Sequence, residues 1–347
     1  MNLPVRTVSI VFSFVVVAVV VAVFLWRSWA EPFPGSSAPS SSTERTEEMP
    51  IVPEEPPSPV GLSIERLFDK PFDGRDFTVG AVLERHAAYT RHSITYRSGE
   101  FSISGIMNLP VGDGPFPVLI LNHGYIDTSV YTSGRGLRRE QDYLARQGFL
   151  VIHPDYRNHA QSSRVDEGEL ENRLGYVEDV INAVVAVRAS SLPYFDKGNI
   201  GILGHSMGGG IAQTIAVAYP DLVKAIALYA PVSMDYRDSY FKYMAGDPER
   251  AARIRERYGP PEGGGPVWDA LSPASYVDRI VVPMILFQGT RDDSVPKEWS
   301  DKTAELLGSM GKPMEYVVYE GEAHEFGPRW TDFMERTTEF FNRHLGT

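Results

Sequence analysis

Gly204-His205-Ser206-Met207-Gly208-Gly209 carries more of the fold than any other stretch of this chain, because of what stands on either side of it. An apolar run at 200–203 leads in and a helix-forming run at 211–219 leads out, so the serine falls on a tight turn from strand to helix. Such a turn strains the backbone and projects the hydroxyl from the sheet edge. Small residues must flank it, because strand and helix approach too closely for side chains. The first free N–H groups of the following helix aim at the same spot, which suits a developing negative oxygen. A Gly-x-Ser-x-Gly pentapeptide alone is a weak signal. Its place between a strand and a helix gives it weight.

A serine hydroxyl is a poor nucleophile at neutral pH. Ser206 therefore needs a base, and the base needs an acidic partner that fixes its tautomer. Both stand on later strand ends. Gly289-Thr290-Arg291-Asp292-Asp293-Ser294-Val295-Pro296 follows a strand-like run at 284–288, and Gly321-Glu322-Ala323-His324-Glu325-Phe326 follows the last one at 315–319. His324 is the expected base. Asp292 and Asp293 compete for the acid; motif position favours Asp292, leaving Asp293 to cap the turn. Acyl transfer also needs donors for the tetrahedral oxygen, expected from the backbone N–H of Met207 and that of Tyr125, in the loop that begins Asn122-His123-Gly124-Tyr125.

Around these motifs, strand-like and helix-like segments alternate from about residue 60 to the end, the pattern of a mostly parallel central sheet with crossover helices in an α/β domain. Residues 92–97 and 101–108 read as an antiparallel pair turned at Ser98-Gly99, while 61–82 is too mixed to assign. Strands are expected at 118–121, 149–153, 199–203, 223–229, 284–288 and 315–319, with helices at 137–147, 174–189 and 330–345. The stretch from about 233 to 276 breaks the alternation with aromatics, a charged helical run at 248–258 and a Gly/Pro-rich segment, and reads as an inserted cap. It leaves the sheet at the edge where open α/β sheets bind ligands, so Tyr236, Tyr240, Phe241 and Tyr243 are expected to line an acyl pocket.

The whole chain has 347 residues, a formal charge of −12 and no cysteine. That balance excludes a basic nucleic-acid stripe, and the missing cysteines exclude disulfides and thiolate chemistry. No His-x-x-x-His spacing or Gly-rich dinucleotide loop after an early strand points to a metal or a nicotinamide, so no cofactor is expected. Residues 8–26 are almost unbroken apolar sequence, long enough for a membrane core of roughly 30 Å. Residues 1–30 thus read as an N-terminal membrane anchor, with a cleaved signal ending at Ser28 and Ala30 as the rival. Residues 31–60, rich in Pro, Ser, Thr and Glu, read as a disordered tether, and 61–347 as the folded domain, placed outside the cytoplasm.

Taken together, Leu121-Asn122-His123-Gly124-Tyr125, Pro154-Asp155-Tyr156-Arg157, the Ser206 turn, and the Asp292 and His324 loops resemble the α/β-hydrolase superfamily. Within it they resemble the catalytic domain of the prolyl oligopeptidase family of serine peptidases and its esterase-like relatives. The resemblance implies an α/β-hydrolase fold and a Ser-Asp-His triad acting on ester or short peptide bonds. Two features depart from the family's pattern. Only about thirty residues separate the tether from the resembling part, too few for a β-propeller, and Asn122 stands where some members carry an oxyanion-hole tyrosine. A carboxylesterase without peptidase activity, or an acyltransferase on the same triad, are the alternative expectations.

Overall fold

The computed structural model describes residues 62–346 apart from Glu167. The expected anchor and tether lie outside the described residues. Nine strands form one open sheet in the order β1-β2-β3-β5-β4-β6-β7-β8-β9. β1 (Arg75–Arg85), β2 (Tyr89–Ser98) and β3 (Phe101–Pro110) are antiparallel, and β3 also pairs antiparallel with β5 (Leu150–Pro154). From there the sheet is parallel through β4 (Phe116–Asn122), β6 (Phe195–His205), β7 (Ala225–Tyr229), β8 (Met284–Gly289) and β9 (Met314–Tyr319).

The parallel strands are apolar at almost every position because both faces are covered, as parallel sheets require. Alternate residues serve different layers. Val118, Ile120, Ile202, Leu228 and Leu286 pack under α2 (Glu169–Ala189) and α3 (Met207–Ala218), whereas Leu119, Leu121, Leu203, Ala227 and Phe287 pack under α1 (Arg138–Arg146) and α8 (Trp330–Leu345). The expected strands and helices at 118–121, 284–288, 315–319, 137–147 and 330–345 are all present to within two residues of their ends.

Three regions differ from the sequence expectation. The unassigned stretch before residue 82 holds a buried 3-10 turn, Ile64–Leu67, and the exposed edge strand β1. β1 shifts register three times against β2, which breaks the alternation that would have marked it. α2 is not a simple amphipathic helix. Leu174, Val177, Ile181 and Val184 enter the main core, yet Asp179 and Asn182 on another side are also buried. The hairpin layer covers them: Ser98 Oγ donates to Asp179 Oδ1 at 2.8 Å, Arg157 Nη2 donates to the same oxygen at 2.9 Å, and Asn182 Nδ2 donates to Ser98 Oγ at 3.0 Å. A helix at Lys297–Ser309, numbered α7 here, follows β8 and was not anticipated.

The interval between β7 and β8 is helical, with α4 (Tyr236–Tyr243), α5 (Pro248–Tyr258), α6 (Pro266–Leu271) and a 3-10 segment, Pro273–Arg279. Asp235 caps α4 by accepting from Arg237 N–H at 3.0 Å, and Asp247 caps α5 by accepting from Glu249 and Arg250 N–H at 3.1 Å each. The cap therefore rises from the C-terminal end of β7, next to the end of β6.

Candidate active site

Ser206 joins β6 to α3 with φ 55° and ψ −119°, the strained turn that the motif predicts. The flanking glycines are steric necessities. A Cβ on Gly208 would collide with the Asn122 carbonyl, one on Gly204 with the Gly208 carbonyl, and one on Gly209 would sit 2.6 Å from Pro231 Cβ. The Ser206 carbonyl is held by the N–H groups of Gly209 at 3.0 Å and Val232 at 3.1 Å, so the strained residue is fixed from two sides.

On the next strand ends, His324 Nδ1 lies 2.8 Å from Asp292 Oδ2. The Asp292 side chain is fully shielded from solvent, and the His324 side chain is only 18% exposed. Asp292 Oδ1 accepts from the N–H groups of Ser294 at 3.0 Å and Val295 at 2.8 Å, and Gln288 Nε2 donates to Oδ2 at 3.0 Å. Burial works to raise the Asp292 pKa, but His324 together with these donors outweighs it and holds the carboxyl below its ordinary value. A carboxylate accepts only, so Nδ1 of the neutral imidazole carries the proton and Nε2 has the free lone pair. Asp293 points elsewhere and is exposed. It does not close the turn as expected; Asp292 Oδ1 does that as well as facing the imidazole.

Two buried carboxylates lace the loops around the site. Glu322 accepts from the N–H groups of Gly327 and Arg329, each at 2.6 Å, and so fixes the loop that carries His324. The backbone joins that loop to the acid loop, since Arg291 N–H donates to the Glu322 carbonyl at 2.8 Å. Asp155 plays the matching part for the loop after β4. It accepts from Tyr131 Oη at 2.8 Å, Ser133 Oγ at 2.6 Å, Gly134 N–H at 3.0 Å and Ser104 Oγ at 2.7 Å. His123 Nδ1 meets the Gly124 carbonyl at 2.7 Å within the same loop.

That loop presses on the nucleophile: a Cβ on Gly124 would stand 3.1 Å from Ser206 Cβ. Among the described residues, the N–H groups of Tyr125 and Met207 donate to no other protein group, as donors meant for a substrate oxygen must be. His205 adds a contact that the motif alone does not reveal. Its ring lies 4.3 Å from Tyr229 and 4.6 Å from His324, and its Nε2 meets the His324 carbonyl at 3.3 Å. Burial, then the neighbouring His324, pushes His205 down to about 3, so it stays neutral and packs as a spacer.

Ser206, Met207, Tyr125 and His324 line one cavity of about 680 Å³. Its apolar part includes Val177, Ile211, Val232 and Leu271, and the cap contributes Tyr236 and Tyr243 as expected. Tyr240 and Phe241 do not line it. Tyr240 is buried against Trp268, with ring centroids 5.1 Å apart, and Phe241 faces solvent, because one helical face meets the core while its neighbours turn outward. Among the described residues, no group of three or more His, Asp or Glu side chains could hold a metal ion. The described helices include none long and apolar enough to cross a membrane.

Comparison with known proteins agrees with this geometry. The profile of the prolyl oligopeptidase family matches residues 135–347. The uncharacterized peptidase YtmA of Bacillus subtilis is 25% identical over 239 residues, covering 69% of this chain and 87% of the relative. The Pyrococcus horikoshii acylaminoacyl peptidase superposes with a TM-score of 0.60 at 20% identity, over 74% of this chain and 42% of its own. Acetyl xylan esterase 1 from Thermoanaerobacterium sp. JW/SL YS485 gives the same TM-score at 18% identity, over 81% of this chain and 92% of the esterase. The two superpositions show a shared α/β-hydrolase fold.

Proposed function

Because the chain belongs to the prolyl oligopeptidase family and is a serine hydrolase, we propose that it cleaves ester or short peptide bonds through an acyl-enzyme on Ser206. The observation that carries this is the Asp292–His324 pair, 2.8 Å apart, at the wall of the cavity that holds Ser206 on its strained turn. In this mechanism, His324 Nε2 takes the Ser206 proton as Oγ attacks the carbonyl carbon. The tetrahedral oxygen then meets the N–H groups of Tyr125 and Met207. His324 gives the proton to the departing alcohol or amine, then takes one from the water that attacks the acyl carbon and returns it to Ser206 Oγ as the acid leaves. Asp292 stays ionised throughout and stabilises the imidazolium.

A carboxylesterase is the second reading. It is favoured by the match to nearly the whole of a compact esterase chain, and by the apolar residues Val177, Ile211, Val232 and Leu271 in the cavity wall. Residues 8–26 supply the proposed membrane anchor and residues 31–60 the tether, which together would hold the enzyme at a membrane facing away from the cytoplasm. The test is kcat/KM on a series of acyl p-nitrophenyl esters and on aminoacyl and dipeptidyl anilides, using the full chain extracted from the membrane fraction, with Ser206→Ala as blank. Anilide cleavage with a residue preference assigns a peptidase, and ester-only turnover with a chain-length optimum assigns the esterase. No Ser206-dependent turnover of either class rejects the function, and recovery in the soluble fraction without detergent rejects the anchor.

A further inference from the structure

The cavity has a second lobe that the chemistry above does not use. A pocket of about 270 Å³ adjoins the first and shares with it Tyr125, Met207, Arg173 and Arg250. Neither Ser206 nor His324 reaches it. Its other walls are polar: Thr128, Asn172, Tyr176 and His159. Burial lowers the pKa of His159, so that ring contributes no charge at neutral pH. Among the described residues, no Asp or Glu side chain lines this lobe.

Arg173, on α2, stands at the junction of the two lobes. It is half-buried, and its guanidinium touches the Met207 sulfur. It forms no ion pair among the described residues. The nearby Tyr236 hydroxyl is buried and makes no well-formed hydrogen bond. A half-buried cation beside a thioether and a phenol has lost part of its hydration and gained no anion among the described residues in return. A planar guanidinium in that position is suited to a two-point grip on a carboxylate.

The lobe's position says which half of the substrate would bring that carboxylate. His324 must protonate the leaving group, so the leaving group lies on its side of the scissile bond. The smaller lobe is lined by the donor residues Tyr125 and Met207 and by neither Ser206 nor His324, so it is assigned to the acyl half. Resting on the acyl-enzyme reading above, we propose that Arg173 and the smaller lobe select acyl groups ending in a carboxylate. Such an acyl group could come from the half-ester of a dicarboxylic acid or from an acidic residue of a peptide.

The test compares p-nitrophenyl hydrogen adipate with p-nitrophenyl hexanoate, and N-acetyl-glutamyl with N-acetyl-glutaminyl anilide, on the full chain in detergent. Spontaneous hydrolysis is subtracted using Ser206→Ala. The proposal expects the charged member of at least one pair to be favoured about tenfold in kcat/KM, as a charge-assisted pair allows. Which pair responds identifies the source of the carboxylate. In Arg173→Gln that ratio should fall to about one, and in Arg173→Lys part of it should remain. Equal kcat/KM within both pairs in the wild-type enzyme overturns the proposal, whether or not the variants fold. So does an equal loss on charged and neutral substrates in Arg173→Gln, which would make Arg173 a stabiliser of charge common to all substrates. A binding measurement needs no turnover: calorimetry of 6-amino-6-oxohexanoate against hexanamide on Ser206→Ala. Preferential binding of the anion without hydrolysis of any ester would remove the hydrolase reading and keep the anion site; hydrolysis without the preference would do the reverse.

Discussion

Asp292 does two jobs that its neighbour cannot share. One oxygen closes its own turn through Ser294 and Val295 N–H, and the other faces His324 while Gln288 steadies it. Asp292→Asn keeps the turn's shape but puts an amide where the imidazole N–H needs an anion, so kcat should fall by on the order of 10³ to 10⁴. Asp293→Asn, at an exposed side chain, should stay within about twofold of wild type. A rate assay of the two variants side by side checks this, and comparable losses would shift the acid role. At this scale much of the site was legible. Ser206, Asp292 and His324 sit in short loop motifs whose chemistry depends on local sequence. Glu322 and Gln288 were not legible as supports, because each acts through a partner brought close only by the sheet. Two of the four cap aromatics, Tyr240 and Phe241, miss the cavity for a related reason: a helix turns neighbouring side chains to opposite sides, and only its packing decides which side is the pocket.

The loops that carry the chemistry are held as units. The His324 loop depends on Glu322, whose two carboxylate oxygens each accept a backbone N–H at 2.6 Å. Glu322→Ala would leave the Gly327 and Arg329 N–H groups without that acceptor. It should cost on the order of 1 kcal/mol per lost hydrogen bond, since these donors are only partly shielded from water, and lower kcat more than it raises KM, since the imidazole moves while the cavity remains. Glu322→Gln, which keeps one acceptor oxygen, should recover part of the loss. Thermal unfolding alongside Michaelis kinetics separates the two effects, and unchanged kcat in a destabilised Glu322→Ala would remove the loop-positioning role. Elements with strong periodicity, such as β4, β8 and α8, were readable in advance because their burial follows their repeat. β1 was hidden by its bulges; α2 was legible as a helix from residue 174, but its second buried face was not, because those polar groups find partners on β2.

Across the described residues, three buried histidines set a pH limit. Burial, followed by neighbouring charges, pushes His123, His153 and His205 each down to about 3. In the unfolded chain such groups take up protons near the ordinary value of about 6.5. As pH falls below that value the unfolded state binds protons first, so stability should fall steadily until about pH 3. Asp292 adds to the same trend lower down. Its stabilising interaction is complete above the ordinary carboxylate pKa and is lost as pH falls through its lowered value. Urea unfolding at a series of pH values between 8 and 4 checks the trend, with His153→Gln expected to flatten it; stability that holds constant or rises toward pH 4 would contradict the burial of neutral imidazoles. The sheet order that gathers the ends of β4, β6, β8 and β9 at one edge is what turns four distant motifs into one site, and it followed from the alternation of strands and helices more than from any single motif.

The most direct test of the account is covalent trapping of the nucleophile: the full chain is treated with a fluorophosphonate, and the adduct is located by peptide mass spectrometry while hydrolysis of a reactive p-nitrophenyl ester is followed. The account predicts one adduct, on Ser206, forming in step with the loss of turnover and absent from Ser206→Ala. Ester turnover that survives in Ser206→Ala, or an inactivating adduct on another residue, would contradict it.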